Sequence, residues 1–230
     1  MRIFAISDLH LSANVDKPMD IFGGAWDNYW DVIKNNWKKN VQEDDIVLIA
    51  GDISWAMFLK DAIPDLEDIA SLPGTKIMIK GNHDYWWGSL SKVKSILPPS
   101  IHVIQNDALR LDGYVFFGSR GWTCPDKKWT EEDQKIYNRE SERLKLSVQC
   151  AKKIMQEGDK LVGLMHFPPF NTLRDDSLFT NIFEKENVRT VVYGHLHGKN
   201  CRVSSKVVKN GVEYYLTSCD QINNSPVRIF

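Results

Sequence analysis

The chain has no apolar run approaching 18 residues, so no segment reads as a transmembrane helix. Its four cysteines (Cys124, Cys150, Cys201, Cys219) lie far apart with no Cys-x-x-Cys pair. That pattern excludes a disulfide framework and a thiolate metal site, and it suits free thiols in a reducing compartment. Charge of one sign is missing too. The formal net charge is −1, which gives no broad electrostatic footprint for nucleic acid or an anionic membrane. The first eight residues lack the apolar core and small-residue cleavage site of a signal peptide and reach a carboxylate, Asp8, at once. A cytoplasmic location is therefore expected. Internal repeats, low-complexity tracts and linkers are absent, so residues 1–230 read as a single domain.

What is present is ordinary globular material, 43% hydrophobic and 26% charged. A chain of this length buries roughly 70–75% of its unfolded surface and needs no staples. Short apolar runs recur: Arg2–Ile6, Ile46–Ala50, Thr75–Lys80, Leu161–Met165 and Thr190–Tyr193. Each reads as a buried strand. Ile101–Ile104 and Ala108–Leu111 look like further strands. Asp112-Gly113 is a hairpin turn signal before a return strand, Tyr114–Phe117. The tail from Cys201 to Phe230 alternates enough to suggest antiparallel strands.

Helical period marks other stretches. Trp26, Tyr29, Trp30, Ile33 and Trp37 recur at three- and four-residue steps, and core packing is their expected role. Ser54 to Leu72 reads as mostly helix, with Pro64 as a break. Ser89–Leu97 is a short helix closed by Pro98-Pro99. Thr130 to Asp133 has capping-box spacing. It opens a long helix to near Gly158, with Tyr137, Leu144, Val148, Ala151 and Met155 as the buried stripe. Lys135, Arg139, Glu140, Arg143 and Lys145 are assigned to its solvated face.

The chemistry-bearing residues collect where strands end. Asp8 and His10 follow the first run and Asp52 the second. Asn82, His83 and Asp84 follow the third, in Gly81-Asn82-His83-Asp84. His166 follows the Leu161 run, and His195 and His197 the Thr190 run. His102 stands apart and is read as structural. Strand ends on one edge of a sheet with helical crossovers converge, and ligands bind there. The groups Asp8, His10, Asp52, Asn82, His166, His195 and His197 would then share one cleft. They are too many for one ion but fit two ions that share a carboxylate. Oxygen and imidazole donors without thiolate suit Mn, Fe, Zn or Co. Two such cations are machinery for phosphoester hydrolysis.

The ordered series Asp8-x-His10, Gly51-Asp52, Gly81-Asn82-His83-Asp84, His166 and Gly194-His195-x-His197 resembles the calcineurin-like metallophosphoesterases. The resemblance implies an α/β fold, a four-layer α-β-β-α sandwich with two mixed sheets and the metal site at strand C-terminal ends. It also implies roles. Asp8, His10, Asp52 and His197 would hold one metal; Asp52, Asn82, His166 and His195 would hold the other. His83 would face the substrate, with Asp84 behind it. One departure is Ile53-Ser54-Trp55, where many relatives carry a second acid.

A small-molecule phosphoester is the expected substrate. Two alternatives stand beside that reading: a nuclease of the same superfamily, and a non-catalytic scaffold. Nuclease relatives usually add a DNA-recognition domain, which balanced charge and the short tail after His197 do not suggest. Scaffolds tend to lose ligands that are all present here. Arg120 is a candidate phosphate ligand, with a structural ion pair as the competing reading. Asn171 and Arg174 are weaker candidates. Trp86 and Trp87 would either wall the substrate site or brace the loop from the core.

Overall fold

The computed structural model describes residues 1–198, 201 and 203–230. Five strands form one sheet. They are β1 (Ile3–Ile6), β2 (Ile46–Ile49), β3 (Thr75–Ile79), β4 (Ile101–Ile104) and, from the C-terminus, β11 (Val227–Arg228). Their order is β11-β1-β2-β3-β4, parallel except for β11. The second sheet holds β5 (Ala108–Leu111), β6 (Tyr114–Ser119), β7 (Lys160–Met165), β8 (Thr190–Tyr193), β9 (Lys206–Lys209) and β10 (Val212–Leu216). Its order is β5-β6-β7-β8-β10-β9.

Strand alternation sorts the buried side chains into three layers. Ile3, Ala5, Ile46, Leu48, Ile77 and Ile79 face the other sheet and meet Phe116, Val162, Leu164 and Val192. The alternate residues Phe4, Ile6, Val47, Ile49 and Met78 face outward, onto α1 (Tyr29–Asn40), α2 (Leu59–Ala70) and α3 (Leu90–Lys94). On the far side Val115, Phe117, Met165, Val191 and Tyr193 pack on α4 (Glu131–Ile154) and α5 (Leu178–Lys185). Strands apolar on both faces are what a parallel sheet covered twice requires. The result is the expected helix-sheet-sheet-helix sandwich. Among the described residues, no helix is long and apolar enough to cross a membrane.

The local signals held in most places. Thr130 and Asp133 form the capping box of α4. Asp112 and Gly113 both have positive φ (48° and 80°), as a two-residue hairpin turn of mirror-image type demands. Four differences are informative. Pro64 sits inside α2, in the middle of the helix, without ending it. Met155 caps α4 instead of continuing its stripe and is 38% exposed. Strand β10 pairs antiparallel with β9 but parallel with β8, so the tail is not purely antiparallel. Helix α5 was not anticipated, although Ser177 and Thr180 form a capping box ahead of Phe179, Ile182 and Phe183. One assignment is corrected: Glu140 is buried, not solvated.

Candidate active site

Ser7-Asp8 leaves β1, Gly51-Asp52 leaves β2, Gly81–Asp84 leaves β3, His166 leaves β7 and Gly194-His195 leaves β8. All five exits meet at one end of the sandwich. The two sheets are stitched there: Ser7 N–H donates to the Thr217 carbonyl (2.7 Å), and Cys219 N–H donates to the Ser7 carbonyl (3.0 Å). Close approach requires glycine at two of the exits. A Cβ on Gly81 would collide with Asp52, and one on Gly194 would sit 2.6 Å from Asp8 Oδ2. The bends also force Asp8, His10, Asp52 and His195 to positive φ, between 47° and 71°. Such backbone costs about 1–3 kcal/mol per residue and persists where the surroundings dictate it, as at functional sites.

The donor atoms converge. Asp8, His10 and His197 place one ligand atom each within 4.8 Å of one another, and so do Asp8, Asp52 and His166. Asp52 Oδ2 lies 3.8 Å from His10 Nε2 and 3.4 Å from His166 Nε2. Asn82 Oδ1 lies 2.6 Å from His166 Nε2 and 3.0 Å from His195 Nδ1. The other nitrogen of His166, Nδ1, is 3.0 Å from the Ala50 carbonyl, which fixes the ring. Backbone holds the carboxylates: His195 N–H donates to Asp8 (3.0 Å) and His83 N–H to Asp52 Oδ1 (2.8 Å).

Both ring nitrogens of His10 and Asp52 Oδ2 are buried without a hydrogen-bond partner. An unsatisfied buried group costs about 1–3 kcal/mol. A cation would satisfy these atoms together, and their oxygen and imidazole chemistry suits one. Burial pulls His10 down to about 3, against the attraction of Asp52. His195 falls to about 3 for the same reason, with His166 adding to burial. At Asp52 burial is outweighed by His166 and His10, which hold the carboxyl below its ordinary value.

The His83 ring packs on Trp55 (centroids 4.5 Å apart) and beside His10 (5.7 Å). Burial lowers it from the ordinary imidazole value. Trp55 also stacks on His10 at 4.7 Å and 20°. The sequence reading named Trp55 only within the Ile53-Ser54-Trp55 departure and foresaw neither of these contacts.

Asp84 requires a correction. Its carboxylate is not behind the His83 imidazole, whose Nδ1 has no partner. Asp84 instead accepts N–H bonds from Gly81 (2.7 Å), Asp52 (2.9 Å), Ile53 (2.8 Å) and Ser54 (3.1 Å), and from Trp86 Nε1 (3.0 Å). It clamps the β2 and β3 exits together. A short acidic side chain one residue past His83 reaches the backbone more easily than the ring beside it. Burial and the nearby Asp52 raise its pKa to about 6, against the pull of those N–H donors. Trp86 and Trp87 are each 2% exposed, so neither walls a substrate cleft. They brace the loop, Trp87 through its bond to Gln105 (2.8 Å).

Arg120 reaches the cluster through its backbone. Its carbonyl accepts from His166 N–H (3.1 Å) and Phe167 N–H (2.9 Å). Its guanidinium turns away to Glu140, 3.5 Å off. Asn171 and Arg174 line a cavity of about 380 Å³ that opens beside His195, walled by Phe167, Phe170 and Leu196.

Residues 1–199 match the model of the calcineurin-like phosphoesterase family. The chain belongs to that family. No curated protein matches it. Solved structures with the same fold include TT1561 of Thermus thermophilus, at 13% identity and TM-score 0.58, covering 94% of this chain and 89% of that one. Phosphopantetheinyl hydrolase of Mycobacterium tuberculosis matches at 14% and 0.55 over 94% and 88%. AQ665 of Aquifex aeolicus, of unknown function, matches at 17% and 0.52 over 99% and 95%. At these identities the likeness concerns fold. The family makes the chain a phosphoester hydrolase in general terms, with Asp and His clusters able to hold metal.

Proposed function

We propose that the chain is a dinuclear-metal phosphoesterase acting on a small-molecule phosphomonoester or phosphodiester, as a single domain over residues 1–230 in the cytoplasm. The observation that carries this reading is the convergence of seven donor groups, three of whose buried atoms have no hydrogen-bond partner. Asp8, His10, Asp52 and His197 would hold one ion, and Asp52, Asn82, His166 and His195 the other. Asp52 would be the shared ligand, since its Oδ2 faces both His10 and His166. Ions of the Mn, Fe, Zn or Co class supply Lewis acidity that activates water and offsets charge growing on the phosphoryl oxygens.

The chain's own residues do the rest. Trp55 holds the His83 ring over the cluster, where it can donate a proton to the leaving oxygen. Asp84 is a positioning residue that locks the loops carrying Asp52, Asn82 and His83. The cavity beside His195 seats the organic part of the ester, its aromatic walls favouring an uncharged group and Arg174 lying within reach of a polar one.

The test is hydrolysis of chromogenic phosphate mono- and diesters by the purified chain with Mn, Fe, Zn or Co. Cleavage well above an Asp52→Asn control is the expected outcome. No cleavage above that control with any of the metals contradicts the proposal.

A further inference from the structure

A second polar cavity, of about 150 Å³, lies between the ends of β3, β4 and β6 and helix α4. None of the seven candidate metal ligands lines it. Three cationic side chains do, Lys80, Arg120 and Arg143, against one carboxylate, Glu140. That leaves two positive charges in excess. Glu140 is 1% exposed and is shared by Arg143 (2.6 Å), Arg120 (3.5 Å) and, from outside the cavity, Arg139 (3.8 Å). Arg139 and Arg143 are half exposed and reach water, whereas Arg120 is mostly buried and has only the distant Glu140 carboxylate for its several donors. Two buried polar groups are left over. Arg120 Nε has no partner, and neither does the hydroxyl of Ser119, which is 5% exposed and lines the cavity.

We propose that this cavity is an anion site, separate from the metal cluster, for a tetrahedral oxyanion of the phosphate or sulfate class. The volume fits such an ion and is small for a nucleotide. Guanidinium forks and an ammonium are the groups that recognise it. The Ser119 hydroxyl and Arg120 Nε–H supply neutral and charged donors that the protein leaves unused. The position matters for the cluster next door. Lys80 directly precedes Gly81, and the Arg120 carbonyl anchors His166. An anion held here grips both loops.

Calorimetric titration of inorganic phosphate, and separately sulfate, into the full chain carrying Asp52→Asn tests this independently of turnover. Failure of the hydrolase reading would leave the result intact. Saturable binding is expected, and adding Arg143→Gln should weaken it roughly tenfold. Ser119→Ala, a milder change, should weaken it several-fold and keeps the test decisive if Arg143→Gln unfolds. Titrating 4-nitrophenyl phosphate distinguishes the source. Comparable affinity means that an esterified phosphate is accepted, and exclusion means that the free ion is the occupant. Absence of phosphate and sulfate binding to the Asp52→Asn chain, or binding untouched by both cavity substitutions, overturns the proposal.

Discussion

Gly81, Asn82, His83 and Asp84 point four ways. Gly81 makes room for Asp52, and Asn82 presents its oxygen to His166 and His195. The half-buried His83 ring packs against Trp55, and Asp84 turns inward to backbone N–H groups. His83→Ala should therefore keep the metal content while turnover falls about 10²–10⁴-fold, the worth of a proton-transfer group. Metal analysis beside steady-state kinetics checks it. Asn82→Ala should lower metal occupancy instead. Asp84→Ala leaves four buried backbone N–H groups unpaired, so unfolding should become easier by at least about 3 kcal/mol in denaturant titration. A catalytic Asp84 would instead lower turnover with stability unchanged. The positions of the seven donor groups were readable because strand exits put Asp and His at a fixed edge. The inward turn of Asp84 was not, since adjacency in sequence does not say which way a loop side chain faces. Trp55 was hidden for a related reason: its partners, His10 and His83, come from other strands.

The elements carry electrostatics of their own. Asp45, just before β2, accepts from Arg2 N–H (2.6 Å), Arg2 Nη2 (2.6 Å) and Gln42 N–H (2.9 Å). It ties β1 to β2 at the end away from the cluster. Burial alone would raise its pKa, but Arg2 and the backbone donors outweigh burial and lower it from 3.8. A depressed carboxyl contributes stability that is present above the unfolded-state value and is lost as pH falls through the folded one. Asp45→Asn should thus lower the melting temperature at pH 7, and the gap from wild type should close below the ordinary carboxylate range. An unchanged gap down to pH 2 would show that the contribution is not ionic. Most strands and helices were legible from period and caps. The short α5 was not, because eight residues after a Pro-rich turn give little periodicity. The burial of Glu140 was hidden because its partner from outside α4, Arg120 just after β6, is far from it in sequence.

Across the whole molecule, the site is where two sheets meet, with Ser7 of one exit bonded to Thr217 and Cys219 past β10. Metal bound at that seam should stabilise the folded chain by mass action. Chelation should lower the wild-type melting temperature and leave an Asp52→Asn protein nearly unchanged. The sandwich was legible because doubly buried strands need helices on both outer faces. The pairing of β11 with β1 was not, since a two-residue strand at the far end of the chain carries no register of its own. The most direct test of the dinuclear reading is elemental metal analysis of the chain purified with Mn, Fe, Zn or Co. Roughly two ions per chain in wild type and His83→Ala, falling clearly in Asp52→Asn, is the predicted result. One ion or none in wild type, or a content unaffected by Asp52→Asn, would contradict it.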